Sequence, residues 1–227
     1  MSPSCNYAVV AWIVFVVLGV TGCASVSVTD VRQSPLVGVP AIKPAFIVVA
    51  PFSIDPGQFN VDRTGAELED FKQNLQKMMY TALVADIRTH LVPSQAVGAM
   101  PSIGGNYWMV TGVFVRVNQG SRFLRSAIGF GAGGTKLETQ VAVYNMAGQE
   151  PTPFLTFATT GGSGAEPGAA LAMDPVSMAL NAVSGSAKGL TDDTRRTSRM
   201  ITAALSDYMY GKGWISADQK LTPKLSQ

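Results

Sequence analysis

Two short apolar runs separated by one long helical period constrain this chain more than any other feature of its 227 residues. Residues 44–53 (Pro-Ala-Phe-Ile-Val-Val-Ala-Pro-Phe-Ser) are β-branched between prolines, the pattern of a strand buried on both faces. Residues 107–117 (Tyr-Trp-Met-Val-Thr-Gly-Val-Phe-Val-Arg-Val) form a second such run. Between them Leu68, Phe71, Leu75, Met78, Met79, Ala82, Leu83 and Ile87 recur at helical spacing. Glu69, Asp70, Lys72, Gln73, Gln76 and Lys77 fall mainly on the opposite side. Thr64 followed by Glu67 reads as a capping box, so a helix is predicted over about residues 65–91. Strand, long helix and strand together predict a crossover onto a sheet, with the apolar helix face packed against it. Residues 54–62 and 93–105 are read as turn-rich loops.

Downstream, Leu137, Thr139, Val141 and Val143 alternate with Lys136, Glu138, Gln140 and Ala142, which predicts a strand. A turn at Ala147-Gly148 returns the chain as a hairpin partner over residues 153–160, with Pro151 and Pro153 at its start. Residues 161–168 read as a Gly/Ser/Ala loop. Asp174-Pro175 opens a short helix ending near Gly185, and Thr191-Asp192-Asp193 opens a final helix that Gly211 and Gly213 stop. The expected class is α/β (α+β): a small mixed sheet of four to five strands, a β-hairpin, a long helix after the first strand and helices at the C-terminus. One domain is expected over residues 44–213, with a tail over 214–227.

The N-terminus speaks to location. An apolar run over residues 8–20 ends in Val20-Thr21-Gly22-Cys23. It is short for a membrane span and has the length of a secretory signal core. The last four residues resemble a bacterial lipobox: a branched apolar residue, two small ones and a cysteine. The resemblance implies cleavage between Gly22 and Cys23 and acylation of the Cys23 thiol, making residues 1–22 a signal peptide. Residues 1–7 carry no Lys or Arg, and Cys5 is a second thiol; an uncleaved anchor helix is the alternative. Ala24, where an aspartate would favour retention at the inner membrane, implies by resemblance to diderm lipoproteins an outer-membrane anchor with the domain facing the periplasm. Residues 23–43 read as an extended tether with a short edge strand at residues 25–28, spanning up to ~65 Å at ~3.3 Å per residue.

Composition narrows the chemistry. The formal net charge is +2 and the basic residues are scattered, so no nucleic-acid partner is expected. His90 is the single histidine, which leaves little for a zinc site or a Ser-His-Asp triad. No metal, cofactor or catalytic residue is expected. Asp192 and Asp193 keep an acid-based enzyme open as a remote alternative, although adjacent carboxylates at a helix start ordinarily complement its dipole. Arg195, Arg196 and Arg199 are read as a solvated helix face.

The glycine-rich segment Gly129-Phe130-Gly131-Ala132-Gly133-Gly134 fits the spacing GxGxxG. A dinucleotide fingerprint needs a helix after it, and here a strand follows, so a nucleotide site is not expected. Gly129, Gly131 and Gly133 permit positive φ or close approach in a kinked connection, or small-residue packing at a protein or lipid interface. Arg122 and Arg125 flank the segment and could grip a carboxylate or phosphate. Gly120-Ser121-Arg122, Arg125, the run from Ile128 to Gly133, and Val110-Thr111-Gly112 before them resemble the signature of domain of unknown function 4410. That family of bacterial lipoproteins has no assigned activity, and the resemblance spans roughly residues 44–210. The element order is similar, more distantly, to envelope domains of the TolB N-terminal and curli-secretion type. The expected function is a non-catalytic scaffold or accessory factor of an envelope complex. The alternative is a homo-oligomeric subunit of an export or polysaccharide-secretion apparatus.

Overall fold

A computed structural model describes residues 25–34, 38–98, 103–120, 135–148, 150–163 and 175–223, with backbone alone over 175–189. In chain order the elements are β1 (Ser25–Gln33), β2 (Phe46–Val49), β3 (Gln58–Asn60), α1 (Gly65–His90), β4 (Ser94–Ala96), β5 (Tyr107–Asn118), β6 (Thr135–Asn145), β7 (Thr152–Ser163) and α2 (Pro175–Gly211). The sheet has seven strands in the order β1-β7-β6-β5-β2-β4, with β3 also on β5. β2 lies parallel to both β5 and β4, whereas β5, β6, β7 and β1 run antiparallel in succession. The mixed α/β class read from the sequence is therefore the one observed.

The two unexpected short strands have a common cause. After β2 the chain never leaves the edge of β5: Ser53 bridges Val113, and Gln58–Asn60 pairs with residues 116–118. Pro51 and the turn at Ile54 interrupt the ladder, which hid β3 inside an apparent loop. β4 is only three residues long and exposed at two of them, too short to show a period.

The helices cover one face of the sheet. Leu75, Met79, Leu83 and Ile87 of α1 are fully buried against Ile47, Val49, Val110 and Phe114. Truncating a buried leucine such as Leu83 to alanine costs about 2–5 kcal/mol. The first turn of α1 departs from the expected capping box. Thr64 makes no side-chain cap, and Glu67 reaches Arg63 at 3.6 Å instead.

α2 is one helix across the region where two were expected; Gly185 and Gly189 do not end it. A helical glycine costs only about 1 kcal/mol relative to alanine, which tertiary packing can override. The face of α2 that meets the sheet mixes Leu190, Ile201, Leu205 and Met209 with buried Asp193, Thr194, Thr197, Ser198, Thr202 and Ser206. Small side chains let the helix approach closely, and several of their hydroxyls are hydrogen-bonded, Ser198 to Asp86 of α1, whereas that of Thr197 has no partner among the described residues. Thr194 donates to the Leu190 carbonyl at 2.7 Å and Thr202 to that of Ser198 at 3.0 Å. Gly213, at φ 70°, ends the element through bonds from Gly213 N to Tyr210 O and Trp214 N to Met209 O.

Both ends of the expected domain extend further. Trp214 packs at 5.9 Å from the Trp108 ring, Ile215 is buried, and the Leu221 amide bonds to Ser206. The segment after α2 is thus part of the core, because its aromatic residue completes a cluster with Trp108, Phe154 and Tyr208. At the other end the edge strand expected at residues 25–28 is present and runs on to Gln33 as β1, pairing with β7 and burying Val26 and Val28.

Candidate functional site

The face of the sheet opposite the helices holds a concave cleft. Alternation along β5, β6 and β7 sends Val110, Phe114, Val141, Val143 and Leu155 to the helices. Thr111, Gln140, Ala142, Tyr144, Thr156 and Ala158 remain at least partly exposed on the other side. These small and polar residues line a cavity of about 530 Å³. Beside it Phe46 stacks on Tyr107, with ring centroids 5.0 Å apart and planes 6° off parallel. Val48, Tyr107 and Met146 form a small buried cluster there.

β1 closes one side of the cleft. Its register slips between Thr29 and Arg32, and Asp30 sits in the left-handed region at φ 52°. This bulge brings both Asp30 and Arg32 to the cleft rim. One acid and one base at the rim, with Thr111, Gln140, Tyr144 and Thr156 set among Val113, Val141 and Phe157, can hydrogen-bond a ligand that also presents apolar surface. The sequence reading missed this site because it expected only a short edge strand at residues 25–28, and Asp30 and Arg32 lie beyond that stretch. The Asp30 conformation has no pattern that marks it in advance.

The two carboxylates kept open as a remote acid-based alternative have different surroundings. Asp193 is buried and accepts from Thr135 and from Arg196 at 2.9 Å, whereas Asp192 is partly exposed and lies 4.0 Å from Arg195. Both lie within α2, not at its start. Arg195 and Arg199 are exposed, Arg196 half-buried, and His90 is exposed in the last turn of α1. Among the described residues no group of three or more potential metal ligands occurs.

The remaining candidates, Gly22 and Cys23, Arg122 and Arg125, and Gly129, Gly131 and Gly133, lie outside the described residues. Their points of attachment are described. Ser25 pairs with Gly162, Gly162 with Lys136, and Lys136 with Asn118. The N-terminal stretch, the glycine-rich segment and the stretch after β7 therefore all join the sheet at one end. At this end Gly120, at φ 75°, donates its amide to the side-chain oxygen of Asn118 at 2.7 Å. Gln119 accepts from Arg63 at 2.8 Å, which ties the entry to α1 to the same end.

A family described as domain of unknown function (DUF4410) matches residues 47–179. Among curated proteins none matches the chain. Solved structures with a similar course are distant. A PelC dodecamer from Paraburkholderia phytofirmans is 11% identical at a TM-score of 0.37, over 74% of this chain and 94% of that one. A neuraminyllactose-binding hemagglutinin homolog from Helicobacter pylori is 10% identical at a TM-score of 0.37, over 77% and 94%. The hypothetical protein CT253 from Chlamydia trachomatis is 9% identical at 0.32, over 68% and 96%.

Proposed function

The chain belongs to the family described as domain of unknown function (DUF4410), and on that footing we propose that it is a lipid-anchored envelope protein, held by Cys23, that acts without catalysis as a scaffold or accessory factor. The observation that carries this reading is the apolar run of residues 8–20 ending in Val20-Thr21-Gly22-Cys23. A peptidase needs small residues before the cysteine so that the chain enters its site extended, and a thiol is the acyl acceptor. One acyl chain binds a membrane marginally, whereas two or three hold it firmly.

The domain is suited to such a role. Its open sheet face presents a shallow cleft of mixed polar and apolar lining beside the Phe46–Tyr107 stack, a surface for contact and not an enclosed chamber. Ala24 as the second residue of the processed chain favours the outer membrane, with the domain in the periplasm. Among the described residues no helix is long and apolar enough to cross a membrane.

The test is the covalent state of the N-terminus. Intact mass spectrometry of protein extracted from membranes should find a chain beginning at Cys23 with fatty acyl groups on it. Cys23→Ser should abolish incorporation of a labelled fatty acid. A chain that begins at Met1, or acyl label retained by Cys23→Ser, overturns the reading.

A further inference from the structure

We propose that the end of the sheet formed by the start of β1, the end of β5, the start of β6 and the end of β7 rests on the lipid surface. This rests on acylation of Cys23 and adds to it an orientation and a second contact. Only Ala24 separates Cys23 from Ser25, which already belongs to the sheet through its pairing with Gly162. Two Cα steps span at most ~7 Å at ~3.3–3.6 Å per residue. A tether of about twenty residues would let the domain stand off in any orientation, but residues 25–33 are spent in an edge strand. An anchor on so short a leash selects which end faces the bilayer.

The ladder fixes what else arrives there. Asn118, Lys136 and Gly162 lie in register with Ser25, so segments 121–134 and 164–174 both leave the sheet from this end. The Asp193 carboxylate, bonded to Thr135, places the middle of α2 there too. The eleven residues of β6 carry the opposite end, at Asn145, ~35 Å further away at about 3.3 Å per residue. The two ends of one strand thus sit at very different distances from the proposed surface.

That difference is measurable with the complete lipidated protein. Apart from Cys5 and Cys23 the chain has no cysteine, and acylation consumes the Cys23 thiol. Lys136→Cys and Ala147→Cys, at opposite ends of β6 and both accessible, are each labelled with a fluorophore. The protein is then reconstituted in phosphatidylethanolamine–phosphatidylglycerol vesicles carrying a nitroxide-labelled phosphatidylcholine. The expected result is loss of most emission from the label at residue 136 and little loss at residue 147. Equal quenching at the two positions, quenching at neither, or the reverse order overturns the orientation while leaving the anchor intact, provided the same sample carries fatty acid on Cys23. Absence of that fatty acid overturns the anchor itself, and the orientation with it. Cross-linking between residue-136 thiols of two copies, without quenching, assigns this end to a second copy and overturns the membrane contact.

Discussion

The hydroxyl of Thr135, the first residue of β6, donates to the carboxylate of Asp193 in α2, and both side chains are buried. Arg196 holds the second carboxylate oxygen at 2.9 Å and carries the compensating charge to the surface. This bond ties the last long helix to the strand that follows the glycine-rich segment. A buried carboxylate is tolerated only when its charge is paired and its oxygens are hydrogen-bonded. Its role here is to fix where β6 begins.

Removing either partner should therefore destabilise the domain. Asp193→Ala removes the carboxylate that accepts from both Thr135 and Arg196 and should cost about 1.5–3 kcal/mol, the range for bonds to charged groups. Thr135→Val should cost about 1–2 kcal/mol, since the Arg196 pair survives. Urea unfolding of the two single variants and the double variant should give less than additive losses. Additive losses would show that the two side chains act independently.

A second buried pair tests the same physics without charge. The Thr139 and Thr159 hydroxyls lie 2.7 Å apart across the β6–β7 ladder, both buried beneath the helices. Replacing one threonine with valine keeps the shape but strands the other hydroxyl, at a cost of about 1–2 kcal/mol. Replacing both removes the stranded group, so the double variant should be at least as stable as either single one. A double variant weaker than both would show that these hydroxyls have further essential partners.

Much of this architecture was legible in the sequence because burial imposes a period. Leu75, Met79, Leu83 and Ile87 mark one helix face, and Leu137, Thr139, Val141 and Val143 one sheet face, so α1 and β6 could be placed within a residue or so. The cleft was not legible. Its β1 wall depends on pairing with β7, more than a hundred residues away, and its Asp30 bulge follows from that pairing and not from local preference. The buried carboxylate was hidden for a related reason. Asp193 looked like a helix-start residue because Gly185 suggested a break that packing of α2 on the sheet removes.

Docking of β1 depends on a close approach at Gly161. A Cβ added there would collide with the Val26 side chain, directly across the ladder. Gly161→Ala should therefore loosen β1 from β7 at a cost of about 1–3 kcal/mol, typical of overpacking. Limited proteolysis should cut the variant within residues 25–33 while the rest of the domain survives. Wild-type resistance there would show that Val26 can shift without releasing the strand.

The aromatic cluster gives the domain a pH dependence at the alkaline end. Tyr208 is packed 5.0 Å from the Phe154 ring and 5.7 Å from that of Trp108, and burial raises its pKa above the ordinary 10.0. Ionising it inside this cluster would place an anion among rings, so the folded state holds its proton more tightly than the unfolded chain does. The linkage sign follows: the contribution is complete below pH 10.0 and declines as pH rises from there through the folded-state value. Stability should fall across that window. Tyr208→Phe keeps the ring, removes the titrating group and should flatten the decline, so unfolding followed against pH on both proteins checks the claim. An identical alkaline slope in wild type and Tyr208→Phe would place the sensitivity elsewhere.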